Sequence, residues 1–157
     1  MVPEIVINKL DPTDMGLILK IANWYSNEWN TPIDKTIHRL TKQSNEDVLF
    51  QLVLTKENKV IATSGLCNNV NILKQYKKFN KFKPWVALLY VEKSNRNQGW
   101  GKLLLEQIEW CAKEEKLAEI YAYTSTAESF FRKCNWTQIE RVNYKDHDTV
   151  IMEKGLK

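Results

Sequence analysis

Apolar positions recur along the chain with two different periods, and the switches between them mark out the elements. Residues 2–8 (VPEIVIN) alternate weakly and predict a first strand. DPTD then offers a helix start before the three- and four-residue spacing of Met15, Ile18, Leu19 and Ala22, which carries a helix to about Trp29. In TPID, Thr31 is placed as N-cap, Pro32 at the first helical position and Asp34 as an approximate capping-box acid. Ile33, Ile37 and Leu40 line one face of this second helix, predicted to end near Ser44. VLFQLVLT (48–55), the polar turn KENK and VIATSGLCNNVNI (60–72) predict an antiparallel hairpin, being rich in β-branched residues and broken by turn chemistry.

PWVALLYVE (84–92) is nearly continuous apolar sequence, as a central strand covered on both faces requires. From Gly101 onward Leu104, Leu105, Ile108, Cys111 and Ala112 return to helical spacing, to about Lys116, and AEIYAYTS (118–125) is the next strand. Strand, crossover helix and strand make a βαβ unit, so 86–91 and 120–123 should run parallel. AESFFRKCNW then predicts a short helix, TQIERVNY a strand, KDHD a turn and TVIME a last strand. No repeat or composition break divides residues 1–157, and the expectation is a single α/β domain with a mixed sheet.

Composition narrows the class. At 157 residues with 43% hydrophobic and 27% charged positions, the chain can bury roughly two-thirds of its unfolded surface. This is far from the signature of disorder. A net charge of +4 favours anionic partners without naming one. The three cysteines, Cys67, Cys111 and Cys134, are odd in number and form no CxxC pair, so free thiols of a cytoplasmic protein are expected. No metal-ligand motif, signal peptide or membrane span is read from the sequence. Five lysines lie between Lys74 and Lys83; such a block is ordinarily a solvated loop, and a loop that contacts an anionic ligand is the alternative.

SNRNQGWGKLL places Gly99 and Gly101 within three residues of a chain that has five glycines. It fails the P-loop pattern, because Leu103 follows Lys102, and the dinucleotide fingerprint, because Leu104 stands at the third glycine position. What remains is Arg96-x-x-Gly99-x-Gly101, joining a buried strand to a helix start. Free N–H groups and the positive end of the helix dipole make such a junction a seat for phosphate. Arg96 could add a charge-assisted contact. A tight turn with close helix packing explains the same two glycines.

VEKSNRNQGWG, as V-x4-[R/Q]-x-x-G-x-[G/A], and AESFFRKCNW, echoing A-x-x-F-Y-x-K-x-G-[FW], together resemble the GNAT superfamily of acetyl-CoA-dependent N-acetyltransferases. The resemblance implies the GNAT fold, β-α-α-β-β-β-α-β-α-β-β, over the whole chain. It implies that backbone amides of Gln98, Gly99, Trp100, Gly101 and Lys102 cradle the pyrophosphate of coenzyme A, with Arg96 and Asn97 also at the cofactor. It also implies that the fourth and fifth strands splay, so that the pantetheine arm pairs with backbone near Leu89, Tyr90 and Val91, where an amide would polarise the thioester carbonyl. Phe131 would lie against the same cofactor. The implied reaction is direct attack of a primary amine on acetyl-CoA, with acetyl-CoA and an amine acceptor as partners and a homodimer left open.

Two positions depart from the pattern. Asn135 stands where the motif has glycine, a mild change because asparagine tolerates the left-handed conformation. Phe131 stands where the motif has tyrosine and so lacks the hydroxyl that would protonate the departing thiolate. Water, or a hydroxyl of Tyr123, Ser129 or Tyr121, could serve instead. Glu28, between Trp24 and Trp29, is the first candidate for the base that strips the ammonium of its proton, and with its aromatic neighbours it suggests a cationic or peptide amine as acceptor. Glu92, His38, His147 and Cys134 are assigned no chemistry. The alternatives are an acyl-CoA-binding module that has lost catalysis with its tyrosine, and a nucleic-acid module using Tyr76, Phe79 and Phe82 among the lysines.

Overall fold

The structure, a computed structural model, describes residues 3–42 and 46–157. In chain order the elements are β1 (Ile5–Lys9), α1 (Met15–Trp29), α2 (Ile33–Thr41), β2 (Val48–Lys56), β3 (Lys59–Cys67) and α3 (Ile72–Gln75). A 3₁₀ turn (Lys77–Lys81), β4 (Trp85–Val91), a second 3₁₀ turn (Lys93–Asn95) and α4 (Trp100–Glu114) follow. β5 (Glu119–Thr124), α5 (Glu128–Lys133), β6 (Thr137–Tyr144) and β7 (His147–Gly155) complete the chain. The strands form one sheet in the order β1-β2-β3-β4-β5-β7-β6, antiparallel at every junction except β4–β5. This is the expected mixed α/β order, with α3 added before β4.

Each strand that alternates delivers its side chains to two layers. Phe50, Leu52 and Leu54 of β2 and Ile120 and Ala122 of β5 meet α4 through Leu104, Leu105 and Ile108 on one face. On the other face α1 packs Ile18, Ile21 and Tyr25 against Val53 and Tyr90, and α2 adds Leu40. α1 begins where Asp14 accepts a hydrogen bond from the Leu17 amide at 3.1 Å, and it ends at Asn30 in the left-handed conformation, φ 57°.

Several boundaries differ from expectation. β1 begins at Ile5, and Val2, included in the predicted strand, lies outside the described residues. Pro32 rather than Thr31 is the N-cap of α2: extended at ψ 130°, it supplies the carbonyl that accepts the Thr36 amide but has no side-chain acceptor. The helix is assigned to Thr41, and the predicted end at Ser44 lies outside the described residues. Ile33 is exposed, and Thr36 with Leu40 forms the buried stripe. β3 stops at Cys67, since the Asn68 amide turns to the Asp47 carbonyl and the chain leaves the sheet.

The lysine-rich stretch is not a bare solvated loop. Its lysines face outward while Phe79, only 1% exposed, stacks with Phe82, and Phe82 stacks on Tyr121 at 4.8 Å. The Tyr76 hydroxyl donates to the Asn143 carbonyl. These rings anchor the stretch to the sheet and are spent on packing, so they are not available to stack on bases.

Candidate functional site

β4 and β5 pair at one register position, Trp85 with Tyr121, supported by the Tyr121 amide donating to the Pro84 carbonyl at 3.0 Å. Beyond it the two parallel strands part. On its other edge β4 is held by β3, with Gly65 opposite Ala87 and Thr63 opposite Tyr90. Leu88 and Leu89 therefore share the single partner Ser64, a β-bulge. Leu88 takes φ 54°, a conformation that costs a branched-chain residue about 1 kcal/mol or more. The bulge and the parting leave backbone of β4 open toward β5, at the residues that Leu89, Tyr90 and Val91 were expected to supply to a pantetheine arm.

α4 starts beside the end of β4 without a side-chain cap, because its N-cap is Gly99. Gly99 has φ 91° and open space around its Cα, so the residue is required by backbone conformation and not by crowding. Asn97 is also left-handed, at φ 63°. A Cβ on Gly101 would meet Val91, Leu89 and Phe130 at 3.6–3.7 Å, ordinary contact. The amides at the head of α4 thus face outward with the helix dipole behind them, an arrangement that fits a diphosphate. The buried indole Nε1 of Trp100 has no hydrogen-bond partner among the described residues.

Arg96 departs from its expected part. Its Nε donates to the Val91 carbonyl at 2.7 Å, its Nη2 to Glu28 at 2.9 Å, and its guanidinium lies 5.2 Å from the Tyr90 ring centre. The side chain is turned to α1 and the acceptor side, which leaves the head of α4 to its backbone amides. Glu28 is correspondingly no free carboxylate, and Trp24 is stacked on Tyr90 at 4.9 Å, with the Lys20 ammonium 5.2 Å from a Trp24 ring centre. The pair of tryptophans does not form a cage around Glu28. Trp29 is 45% exposed and borders the cavity.

Phe131 is 6% exposed and packs edge-on between Phe130 and Trp136, with ring centres 5.3 and 5.1 Å away. Asn135 has φ 69°, the left-handed conformation expected of it. Of the three hydroxyls considered in its place, Tyr121 lies under Phe82, Ser129 is exposed on α5 away from the cavity, and Tyr123 lines the cavity. Burial, with Tyr144 and Cys67 nearby, pushes the Tyr123 phenol well above its ordinary range, the Ile72 backbone and Arg39 acting the other way. It is a neutral donor at physiological pH.

A cavity of about 750 Å³ runs from α1 and α2 through the gap between β4 and β5 to α5. Leu88 and Leu89 line it from β4. Its charged lining comprises Glu28, Lys35, Arg39 and Lys145, with His147 at the β6–β7 turn. Sequence reasoning did not single out Lys35, Arg39, Tyr144 or Lys145, because nothing in local spacing brings α2 to the β6–β7 turn. Glu92 is paired with Lys59 at 3.4 Å, His38 is exposed, and Cys67 and Cys134 are buried. Among the described residues no helix is long and apolar enough to cross a membrane.

A family model described as an acetyltransferase (GNAT) domain matches residues 49–138. No curated protein matches the chain by sequence. Solved structures share its fold: an aminoglycoside 6'-N-acetyltransferase complexed with coenzyme A has TM-score 0.75 at 14% identity, with 97% of each chain covered. The ribosomal-protein-S18-alanine N-acetyltransferase from Escherichia coli has TM-score 0.72 at 16% identity, covering 98% of this chain and 94% of that one. The PaiA N-acetyltransferase from Thermoplasma acidophilum, in complex with coenzyme A, has TM-score 0.68 at 21% identity, covering 97% and 99%.

Proposed function

The chain belongs to the GNAT acetyltransferase family, and we propose that it transfers the acetyl group of acetyl-CoA directly to a primary amine in the cavity between β4 and β5. The observation that carries this reading is the coincidence of three features: the parted strands, the Leu88–Leu89 bulge between them, and the uncapped head of α4 beside them. Acetyl-CoA supplies an activated thioester. The amides from Gln98 to Lys102 hold its diphosphate, and the open edge of β4 from Leu89 to Val91 aligns the arm and donates to the thioester carbonyl.

The acceptor enters from the side of α1 and α2 as an ammonium and must lose a proton before its lone pair can attack. Glu28, held by Arg96, receives that proton directly or through water. The amine nitrogen then bonds to the carbonyl carbon, the adduct sheds its second N–H proton to solvent, the carbon–sulfur bond breaks, and the thiolate takes a proton from solvent directly or from the Tyr123 phenol, which solvent reprotonates. Phe131 packs the floor and moves no proton. Two of the fold neighbours are named for acetylating an aminoglycoside and the alanine of a ribosomal protein, both amine acceptors, which supports a primary amine here.

A thiol-release assay with acetyl-CoA over small amines and short peptides tests the assignment. Turnover requiring both substrates is expected; coenzyme A release unaffected by any amine would overturn it.

A further inference from the structure

The charges lining the acceptor end of the cavity do not balance. Glu28 is consumed by Arg96. Arg39 is consumed by Asp47, with two hydrogen bonds of 3.1 and 3.2 Å, and by the Asn69 carbonyl at 3.1 Å. The two remaining formal charges are both positive. Lys35 of α2 is half-buried, and its Nζ donates to the neutral amide of Asn71 at 3.2 Å, with no carboxylate partner among the described residues. Lys145, exposed on the turn between β6 and β7, lines the same cavity, lies over the Tyr144 ring 5.4 Å from its centre, and has no ion pair among the described residues. Burial and the nearby cations Lys74, Arg39 and Lys145 all push the Lys35 ammonium below its ordinary value, with Asp47 opposing them.

Two lysines brought to one cavity from α2 and from the β6–β7 turn, neither with a carboxylate partner among the described residues, repel each other unless an anion joins them. A polycationic acceptor would make the repulsion worse. The same cavity reaches Leu88 and Leu89 of β4, so one molecule can place an anionic group at Lys35 and an amine at the thioester.

We propose that the acceptor is an anionic amine, whose carboxylate or phosphate is bound by Lys35, Asn71 and Lys145 while its amino group reaches the gap between β4 and β5. This rests on the acetyl-transfer reading above. Both a free amino acid-like molecule and the amino terminus of a short acidic peptide present that chemistry. The side chains involved select the acceptor through charge and leave the head of α4 untouched.

The test is a matched length series of ω-amino carboxylates, α-amino acids, uncharged alkylamines, diamines and short peptides with an acidic or neutral second residue. Wild-type protein should show its highest kcat/KM on an anionic member, and the arm containing it separates small molecule from peptide. In Lys35→Gln and Lys145→Gln, the ratio of kcat/KM for the anionic acceptor to that for its uncharged counterpart should fall about tenfold. Lys35→Glu should invert the ratio in favour of diamines. Preference of the wild type for diamines, or a ratio that the substitutions leave unchanged, would overturn the anion seat while leaving acetyl transfer in place. No turnover with any amine, although acetyl-CoA binding is seen by tryptophan fluorescence, would overturn the transfer reading and the seat together.

Discussion

Glu28 and Arg96, 68 residues apart in sequence, meet through a 2.9 Å ion pair that ties the last turn of α1 to the turn following β4. The contact joins the residue proposed to take the acceptor's proton to one that the sequence motif allots to the cofactor. Both side chains are part-exposed, so the pair contributes little stability, well under about 1 kcal/mol. Its consequence is positional. Glu28→Gln should lower kcat by about 10²-fold. Arg96→Ala should lower kcat/KM for the amine more than it weakens coenzyme A binding; steady-state kinetics beside calorimetric titration of coenzyme A checks both. A larger loss in cofactor affinity than in acceptor kinetics would return Arg96 to the diphosphate.

The two glycines of the motif separate cleanly by structure. Gly99 sits at φ 91° with room around it, so Gly99→Ala should cost about 1–2 kcal/mol of backbone strain and displace the amides at the head of α4. Coenzyme A affinity should drop about tenfold or more. Gly101→Ala adds a methyl at ordinary contact distance and should leave affinity within about threefold, with a small gain in helix propensity. Equal effects at the two positions would refute the distinction.

How much of this was legible in the sequence depends on the range of the interaction. Strands and helices that follow a local period, such as α4 through Leu104, Leu105 and Ile108, were readable because the pattern and the burial coincide. The head of α4 was readable because its requirement for glycine is local. The burial of Phe79 was not, since its own stretch is dominated by lysines in any local average and its buried partners, Trp85, Tyr121 and Ile151, lie in β4, β5 and β7. The Leu88 bulge has no sequence signature at all: it arises from the register that β3 imposes. Lys35 and Lys145 come from elements over a hundred residues apart, and only the assembled fold sets them in one cavity.

Gly65 is a close-approach glycine. A Cβ there would lie 2.4 Å from the Gln51 Oε1, and Gln51 cannot swing away cheaply because it is buried and its Nε2 donates to Tyr25 at 3.0 Å and Thr63 at 2.8 Å. Gly65→Ala should therefore break this network and destabilise by about 1–3 kcal/mol. Thermal melting should register a fall of roughly 2–4 °C per kcal/mol for a chain of this size. An unchanged melting temperature would show that β3 relaxes around the methyl.

Tyr25 and Tyr123 both have phenols raised above their ordinary range, chiefly by burial, and this fixes the sign of an alkaline effect. Near and above pH 10 the unfolded chain gives up these protons while the folded protein retains them. Stability should be insensitive to them at neutral pH and then fall by up to about 1.4 kcal/mol per pH unit for each tyrosine. Tyr25→Phe should remove one share of that slope at a cost of about 1 kcal/mol in the Gln51 contact. Chemical denaturation across the alkaline range measures it, and a slope unchanged in Tyr25→Phe would refute it.

The missing hydroxyl at position 131 can be tested against the one that lines the cavity. Phe131 packs edge-on against Phe130 and Trp136 and also lines the cavity, so Phe131→Tyr adds a hydroxyl there without changing the fold, and with Tyr123 as donor it should not accelerate turnover. Tyr123→Phe keeps the packing against Trp85 and Tyr144 and removes only the donor. If Tyr123 protonates the thiolate, kcat should fall about tenfold or more with KM for acetyl-CoA little changed, and a solvent isotope effect on kcat should shrink. Thiolate is already a fair leaving group, which sets the modest size of the loss. Faster turnover in Phe131→Tyr with none lost in Tyr123→Phe would place the proton donor on α5 instead.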